Sequence, residues 1–253
     1  MSKKGFSFSL VVLLAAVMLF SIAPAMASPI AVNLELALAV DVSGSIDTTE
    51  FNLQRTGYVN AFTALAPQFN TATPPLAFAA ALIYWSGGSQ QQTAVAWTLI
   101  DSEASANAFA ASIGAASRPY SGFTAVGDAL LYSTDSILNN DFTGVRKIID
   151  ISSDGSNNDG PAPNTPRDNA VAAGIQINAL VIQDIALVAY YTNNVIGPIP
   201  PAFVDFVTDF DGFSAAITAK IQHEVVVPIP GAVYLLGSSL MGLGALRFRR
   251  RLS

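Results

Sequence analysis

A mostly apolar run, Leu34 to Val40, ends in residues 41–45, which read DVSGS. Such a run is typical of a central strand in a sheet that is covered on both faces. Directly after it, side chains that carry oxygen occupy alternating positions, and Gly44 permits a tight bend between them. Ligands of open α/β sheets bind beyond the carboxyl ends of the strands. Asp41 therefore lies where a ligand site is expected.

The DVSGS segment has the side chains of a site for a hard divalent cation. Mg²⁺ prefers an octahedron of oxygen ligands, and a carboxylate with two hydroxyls can supply part of it from one loop. The alternative is an ordinary turn from strand to helix, in which Ser45 or Asp47 caps the helix that follows. The segment alone leaves both interpretations open.

The next segments alternate as they do in a doubly wound α/β domain. After Asp47, apolar residues recur every three to four positions from Phe51 to Leu65, which predicts a helix that starts near Asp47. Two strand-like runs, Leu76 to Trp85 and Thr93 to Leu99, predict a hairpin that adds an antiparallel edge strand to a parallel sheet.

Later segments continue this alternation. The further predicted helices run from about Ser102 to Ile113, through Leu131 to Ile137, from Thr165 to Ala173 and from Asp211 to His223; the further predicted strands are Val145 to Ile151, Ile175 to Ile182 and Phe203 to Val207. The predicted fold class is therefore α/β, a three-layer doubly wound domain. Its mostly parallel central sheet has one antiparallel edge strand, with helices on both faces.

Two later segments carry further candidate ligands. A glycine-containing loop leads into the helix that contains Leu131 and brings Thr124 near the helix N-terminus, where its hydroxyl can point into a cleft. Alternatively, Thr124 is the N-cap of that helix. The strand that ends at Ile151 is followed closely by Asp154-Gly155, a second carboxylate at the end of a predicted central strand, although Asp-Gly alone indicates only a turn.

Three other titratable residues are not expected to bind the metal. Asp150 lies within a predicted strand, where we expect it to pack as a polar residue or to point to the end of the sheet. Asp128 follows Thr124 by one helical turn and is expected to be a surface or supporting carboxylate. His223 is the only histidine of the chain and is expected to be a solvated residue near a helix end.

Taken together, Asp41, Ser43, Ser45, Thr124 and Asp154 resemble the metal-ion-dependent adhesion site (MIDAS) of von Willebrand factor type A (vWA) domains. That pattern is D-x-S-x-S after the first strand, a Thr before a middle helix and an Asp after a central strand. All three parts appear here in that order. The resemblance implies a vWA fold and a bound Mg²⁺, with Mn²⁺ or Ca²⁺ as alternatives.

The resemblance also implies a role for each of these residues. Ser43, Ser45 and Thr124 would contact the metal through oxygen, and Asp41 and Asp154 would contact it directly or through water. A carboxylate from a partner would fill the sixth position. A site with few anionic ligands in direct contact leaves the cation electrophilic enough to recruit such a group.

More of the chain, from about Leu34 to Glu224, resembles a narrower, uncharacterised bacterial branch of the vWA family. The resemblance rests on the stretch from Ile148 to Gly155 and on the Asn157-Asn158 pair. It also rests on three later motifs, Asn178 to Ile182, Tyr190-Tyr191 and Asn194 to Gly197. The last motif departs from the usual continuation Gly-Gly-Pro, because Pro198 follows Gly197 directly.

Residues 1–27 have the layout of a secretory signal peptide. Lys3 and Lys4 precede an apolar stretch from Leu10 to Ile22, and Ala25-Met26-Ala27 forms an A-x-A cleavage site. A retained membrane anchor is the alternative. In either case the sequence predicts that residues 28–226, the metal-binding domain, are exported.

Residues 227–253 resemble a sorting signal of the PEP-CTERM class. A Val-Pro-Ile-Pro motif precedes an apolar stretch, Gly231 to Leu246, and an arginine cluster closes the chain. This layout predicts a short membrane helix with its arginines in the cytoplasm and the acidic domain outside. The resemblance implies processing by an exosortase-type enzyme and delivery to the cell surface or extracellular matrix. A permanent anchor in the inner membrane is the alternative.

Composition excludes several classes of chemistry. The chain has no cysteine, so cysteine nucleophiles, thiolate zinc sites and thioether-linked haem are ruled out.

The charge of the chain is distributed unevenly. Six of the 12 basic residues lie in the two terminal segments, which leaves six basic against 18 acidic residues between them, a net charge of −12. Such a domain should repel nucleic acid and anionic lipid and could favour cations. An acidic surface that only maintains solubility explains the charge equally well.

The sequence therefore predicts a surface-directed module that binds a protein or matrix ligand through a metal, and not an enzyme. One alternative is a hydrolase that uses the same acidic cluster and a metal-activated water. Against it, the chain has no second histidine and no G-x-S-x-G elbow. Another alternative is a metal that only stabilises the fold.

Overall fold

The computed structural model describes residues 28–71, 76–198 and 201–226. The predicted signal peptide and the predicted sorting tail lie outside these ranges. Within the described ranges, no helix is both long enough and apolar enough to span a membrane.

The strands of the described residues form one mixed sheet in the order β3-β2-β1-β4-β5-β6. Their bounds are β1 Ile30–Asp41, β2 Phe78–Trp85, β3 Gln91–Ile100, β4 Phe142–Ser153, β5 Gln176–Ile182 and β6 Val204–Val207. The pairs β2–β1, β1–β4, β4–β5 and β5–β6 are parallel, and the edge strand β3 pairs with β2 in the antiparallel direction. This arrangement confirms the predicted doubly wound sheet with its single antiparallel edge strand.

Helices cover both faces of the sheet. Their bounds are α1 Thr48–Leu65, α2 Glu103–Ala115, α3 Val126–Leu138, α4 Asn164–Ala172, α5 Ala186–Asn194 and α6 Phe213–Val226, and a 3₁₀ turn, Ala66–Asn70, extends α1. Helices α1, α2 and α6 pack on one face, and α3, α4 and α5 pack on the other. The three-layer architecture is therefore also as predicted.

Helix α5 was not predicted from the sequence. Its residues are rich in aromatic and β-branched side chains and end in two asparagines, which gives it no clear helical pattern. The helix is stabilised by tertiary packing, because Leu187 and Tyr191, four positions apart, are both buried against the sheet. Helix propensity alone therefore does not explain why these residues form a helix.

Strand β1 is apolar because both of its faces are buried. Leu34, Leu36 and Leu38 contribute to the core on the α1 face, whereas Ala37 and Ala39 contribute to the core on the α3 face. The buried run extends from Leu34 to Asp41 without an exposed position. The strand is thus fixed at the centre of the sheet, and its carboxyl end is fixed with it.

The register between β1 and β4 aligns the two strand ends. Val40 lies opposite Ser152, and both strands end within one residue of that pair. The residues that follow, Asp41 and Ser153, therefore meet at the same edge of the sheet. The DVSGS segment and the loop that begins with Asp154 leave the sheet side by side.

A charged cluster is buried where α6 packs on the sheet. Nζ of Lys220 lies 2.6 Å from Oδ1 of Asp150, an ion pair without hydrogen-bond geometry, and 2.9 Å from Oε1 of Glu224. Asn178 donates a hydrogen bond of 2.6 Å to the same Glu224 oxygen. Burial and the charge of Glu224 raise the pKa of Asp150 well above its ordinary value. Asp150 is thus a structural residue, in agreement with the sequence prediction.

Replacing Lys220 by Met should destabilise the fold, because it leaves two buried carboxyl groups without their cation. We expect the free energy of unfolding to fall by about 3–5 kcal/mol, as measured by urea denaturation at neutral pH. The matched control is Lys147→Met on β4, where the side chain is only half-buried, with an expected change of about 0.5 kcal/mol. Equal losses in the two variants would contradict the role given to the cluster.

Candidate metal centre

Five oxygen-bearing side chains, Asp41, Ser43, Ser45, Thr124 and Asp154, meet beyond the carboxyl ends of β1 and β4. Four of them form a continuous chain of hydrogen bonds. Oγ1 of Thr124 donates to Oγ of Ser43 at 3.3 Å, and Ser43 and Ser45 share a hydrogen bond of 3.2 Å. Oγ of Ser45 donates to Oδ1 of Asp154 at 2.8 Å. The structure thus brings together residues that lie up to 113 positions apart in the sequence, from Asp41 to Asp154.

Asp41 supports this chain from the buried side. Its Oδ1 accepts a hydrogen bond from the backbone N–H of Ser43 at 2.7 Å, and its Oδ2 accepts one from Oγ of Ser153 at 2.6 Å. Burial and the neighbouring charge of Asp154 raise the pKa of Asp41 to about 7. Two carboxyl groups therefore lie close together here, and a positive charge between them would stabilise both as carboxylates.

The spacing of the four linked oxygens is compatible with a metal shell. Adjacent oxygens of an octahedral Mg²⁺ shell, each 2.0–2.1 Å from the metal, lie about 2.9 Å apart, and larger cations separate them further. The three contacts along the chain measure 2.8, 3.2 and 3.3 Å. Carboxylate and hydroxyl oxygens are also the donors that hard cations prefer. The residues present fit a divalent cation in both geometry and chemistry.

Two contacts fix the loop that carries Ser43 and Ser45. The backbone N–H of Gly44 donates to the carbonyl of Gly122 at 2.7 Å, and a Cβ at position 44 would approach that oxygen to 3.2 Å. The guanidinium of Arg118 donates to the carbonyl oxygens of Val42 and Ser43 at 2.9 and 2.7 Å. These contacts hold the DVSGS loop against the loop that precedes α3.

The helix cap after this loop comes from Asp47 and not from Ser45. The Asp47 side chain accepts a hydrogen bond from the N–H of Glu50, and the Glu50 side chain accepts one from the N–H of Asp47, which completes a capping box. Ser45 instead donates to Asp154. Asp47 therefore caps α1, and the Ser45 hydroxyl is directed to Asp154 instead.

Thr124 is likewise not a helix cap. Helix α3 starts at Val126, its N-cap position is Ala125, and no side chain caps it. The N–H of Thr124 donates to Oδ1 of Asn158 at 2.8 Å, which ties this loop to the loop that carries Asp154. The Thr124 side chain remains available to Ser43.

Sequence reasoning missed several residues that support the site. Ser153 bonds Asp41, and the hydroxyl of Tyr191 donates to the carbonyl of Gly155 at 3.0 Å. Asn157 accepts a hydrogen bond from the N–H of Gly127 at 3.1 Å. Ser153, Asn157-Asn158 and Tyr190-Tyr191 all belong to the stretches that carry the narrower resemblance, but no local pattern assigned them a role at the site.

The side chains of Asp128, Asp150 and His223 make no hydrogen bond to the chain that runs from Thr124 to Asp154. Asp150 is paired with Lys220, and His223 is exposed and lies against the ring of Phe203. Burial and the charge of Asp159 raise the pKa of Asp128. Among the described residues, no group of three or more histidine, cysteine or acidic side chains is placed to hold a metal. A centre here would instead depend on two carboxylates and three hydroxyls.

The chain matches one protein family over most of its length. Residues 31–229 match the family described as "Protein of unknown function (DUF1194)". No curated protein matches the sequence.

Several solved structures share the fold at low sequence identity. Proximal thread matrix protein 1 from the mussel byssus, solved with a zinc-occupied MIDAS motif, is 18% identical with a TM-score of 0.54, over 78% of this chain and 49% of that one. The pilus adhesin SpaC of Lactobacillus rhamnosus GG is 16% identical with a TM-score of 0.58, over 76% and 30%. A von Willebrand factor type A protein from Catenulispora acidiphila is 13% identical with a TM-score of 0.53, over 75% and 42%.

These likenesses show that the chain has a vWA-like fold. Because the identities are below 20%, they show the fold alone. The chain also matches less than half of the length of each of these three proteins.

The close approach of α3 to the loop that carries Asp154 requires a glycine. A Cβ on Gly127 would overlap the carbonyl oxygen of Pro161. Gly127→Ala should therefore lower the free energy of unfolding by about 1–3 kcal/mol, as measured by chemical denaturation. The matched control is Gly114→Ala in α2, where the new Cβ would make an ordinary contact with Val59 and stabilise by about 0.5–1 kcal/mol. The same sign of change in both variants would contradict the packing described.

Proposed function

The chain belongs to the DUF1194 family, and we propose that it is an exported vWA-type module that binds a divalent cation and, through it, a carboxylate of a partner. The observation that carries this proposal is the chain of hydrogen bonds from Thr124 through Ser43 and Ser45 to Asp154. We propose Mg²⁺ as the cation, with Mn²⁺ or Ca²⁺ as alternatives.

The proposed ligand set explains why the site would bind a partner. Ser43, Ser45 and Thr124 would contact the cation through neutral hydroxyl oxygens, and Asp41 and Asp154 would contact it directly or through water. Two carboxylates balance a divalent charge only when both lie close to the metal. A cation held mainly by hydroxyls stays electrophilic, which favours an additional anionic oxygen from outside.

The protein chemistry around the site supports binding rather than bond cleavage. Both oxygens of Asp41 already accept hydrogen bonds from Ser43 and Ser153, so this carboxylate is held in place rather than poised to move a proton. The names of two fold neighbours, a matrix protein of the mussel byssus and a pilus adhesin, are consistent with adhesion. A protein or matrix ligand with an exposed carboxylate is the partner class that we propose.

We further propose that this module operates outside the cytoplasm. The sequence supports a signal peptide at residues 1–27, a metal-binding domain at 28–226 and a sorting segment at 227–253. In this scheme an exosortase-type enzyme processes the tail, and the C-terminal helix anchors the chain in the membrane transiently or permanently. Divalent cations at millimolar concentration outside the cell would keep the site loaded.

Cation binding can be tested by isothermal titration of the full chain, in a mild detergent, with Mg²⁺ and Mn²⁺. Asp154→Asn and Asp41→Asn should each weaken binding at least about tenfold, because each removes one of two negative charges beside the metal. The matched control is Asp128→Asn, which removes a carboxylate that lies outside the hydrogen-bonded chain and should change affinity less than about threefold.

Two results would replace this function with another. If the wild-type chain and Asp154→Asn bound the cation with equal affinity, the proposed residues would not be its ligands. Mg²⁺-dependent turnover of phosphoesters or peptides that Asp154→Asn abolishes would assign a hydrolase instead. If chelation lowered the melting temperature but left the binding of carboxylate ligands unchanged, the metal would be structural.

A further inference from the structure

The two most exposed large apolar side chains of the described residues both lie at the edge of the sheet that carries the proposed metal ligands. Phe123 is 69% exposed and directly precedes Thr124, and Ile185 is 64% exposed and directly precedes α5. Holding a phenyl ring in water is unfavourable, and contiguous exposed apolar surface often marks a binding surface. Single exposed apolar residues are common, so the surroundings of these two decide their meaning.

The backbone around Phe123 is fixed on both sides. Ser86 accepts a hydrogen bond from the N–H of Gly122 at 2.7 Å and donates one to the carbonyl of Phe123 at 3.1 Å. The next N–H, of Thr124, donates to Asn158. The ring is therefore presented outward by a loop that is held in place, one residue from a proposed metal ligand. A rigid aromatic side chain of this kind binds a partner with little loss of conformational freedom.

Ile185 borders the same site through a different loop. Gln183, which adopts a left-handed conformation with φ of 69°, donates through Nε2 to Oε1 of Glu50 at 3.0 Å. Glu50 also accepts a hydrogen bond of 2.7 Å from the N–H of Asp47, two residues after Ser45. The loop after β5 is thus joined to the start of α1, directly after the DVSGS segment.

The charges at this edge restrict what can cover the two apolar side chains. Glu50, Asp159 and Asp184 lie in the loops and the helix start around the site, in addition to its own carboxylates. A strongly anionic surface, such as an acidic bilayer, would be repelled. A carboxylate of a partner is attracted only at the bound cation, which offsets these negative charges. The rest of the partner's contact surface must therefore consist of apolar groups or hydrogen-bond donors.

We propose that the partner is a protein segment in which an acidic residue stands next to a large apolar residue. The acidic side chain binds the cation, and its apolar neighbour packs on Phe123, with Ile185 as a second apolar contact. This inference rests on the proposed function, because the cation supplies the fixed point from which Phe123 is reached. Phe123 then determines which carboxylates are accepted, and the metal determines only that a carboxylate is required.

The test uses short peptides and the paramagnetic broadening of their proton signals by Mn²⁺ bound to the full chain in a mild detergent. The probes are acetyl-Gly-Asp-Phe-Gly-amide, acetyl-Gly-Asp-Ser-Gly-amide and acetyl-Gly-Asn-Phe-Gly-amide. We expect the Asp-Phe peptide to bind about fivefold more tightly than the Asp-Ser peptide, and the Asn-Phe peptide not to compete. In Phe123→Ser this preference should fall below about twofold, with Mn²⁺ loading measured separately in every variant.

The matched control is Val145→Ser, which removes an apolar side chain that is 63% exposed on β4, near the start of that strand and far from its carboxyl end. It should keep the full preference for the Asp-Phe peptide. Equal binding of the two aspartate peptides by the wild-type chain would overturn this inference and leave the proposed function intact. If neither aspartate peptide bound a chain loaded with Mn²⁺, the proposed function would fail and this inference with it. If the chain bound anionic vesicles and Phe123→Ser abolished that binding, the partner of this surface would be a membrane and not a protein segment.

Discussion

The buried carboxyl group of Asp41 is the constraint on which the rest of this site depends. An acidic group at the end of a fully buried strand is unfavourable unless hydrogen bonds or a cation stabilise its charged form. Here the N–H of Ser43, in the loop after β1, and the hydroxyl of Ser153, the last residue of β4, satisfy its two oxygens. The DVSGS segment and the end of β4 are therefore both tied to one carboxyl group. Ser43, whose backbone Asp41 binds, is also a member of the hydroxyl chain that reaches Thr124 and Asp154.

Sheet topology explains why these loops converge. In a parallel sheet the carboxyl ends of adjacent strands share one edge, and the β1–β4 register aligns their last residues. The third loop, before α3, reaches the same place because Gly44 and Ser86 bind its backbone. The charged pair of Asp150 and Lys220 lies deeper, below this edge, and links α6 to the sheet. Asp150 in β4 thus stabilises the fold, whereas Asp154, in the loop that follows β4, belongs to the proposed binding site.

Much of this arrangement could be predicted from the sequence, for identifiable reasons. The buried run from Leu34, the helical spacing after Asp47 and the Asp-Gly turn at Asp154 are local patterns, and the alternation of strands and helices predicts a mostly parallel, doubly wound sheet. The supporting residues could not be predicted, because Ser153 and Arg118 act through contacts distant in sequence. Helix α5 was missed because tertiary burial of Tyr191 outweighs its weak helical propensity. The exposure of Phe123 and Ile185 could not be predicted either, because exposure depends on how the whole chain folds.

The most direct test of this account is where a divalent cation binds. Crystals of the protein grown with Mn²⁺ should give one strong anomalous peak within about 2.6 Å of Oγ of Ser43 and Oγ of Ser45. The same peak should lie near Thr124, and Asp154→Asn should weaken it. A peak between Asp128 and Asp159, or no peak at saturating Mn²⁺, would contradict the account.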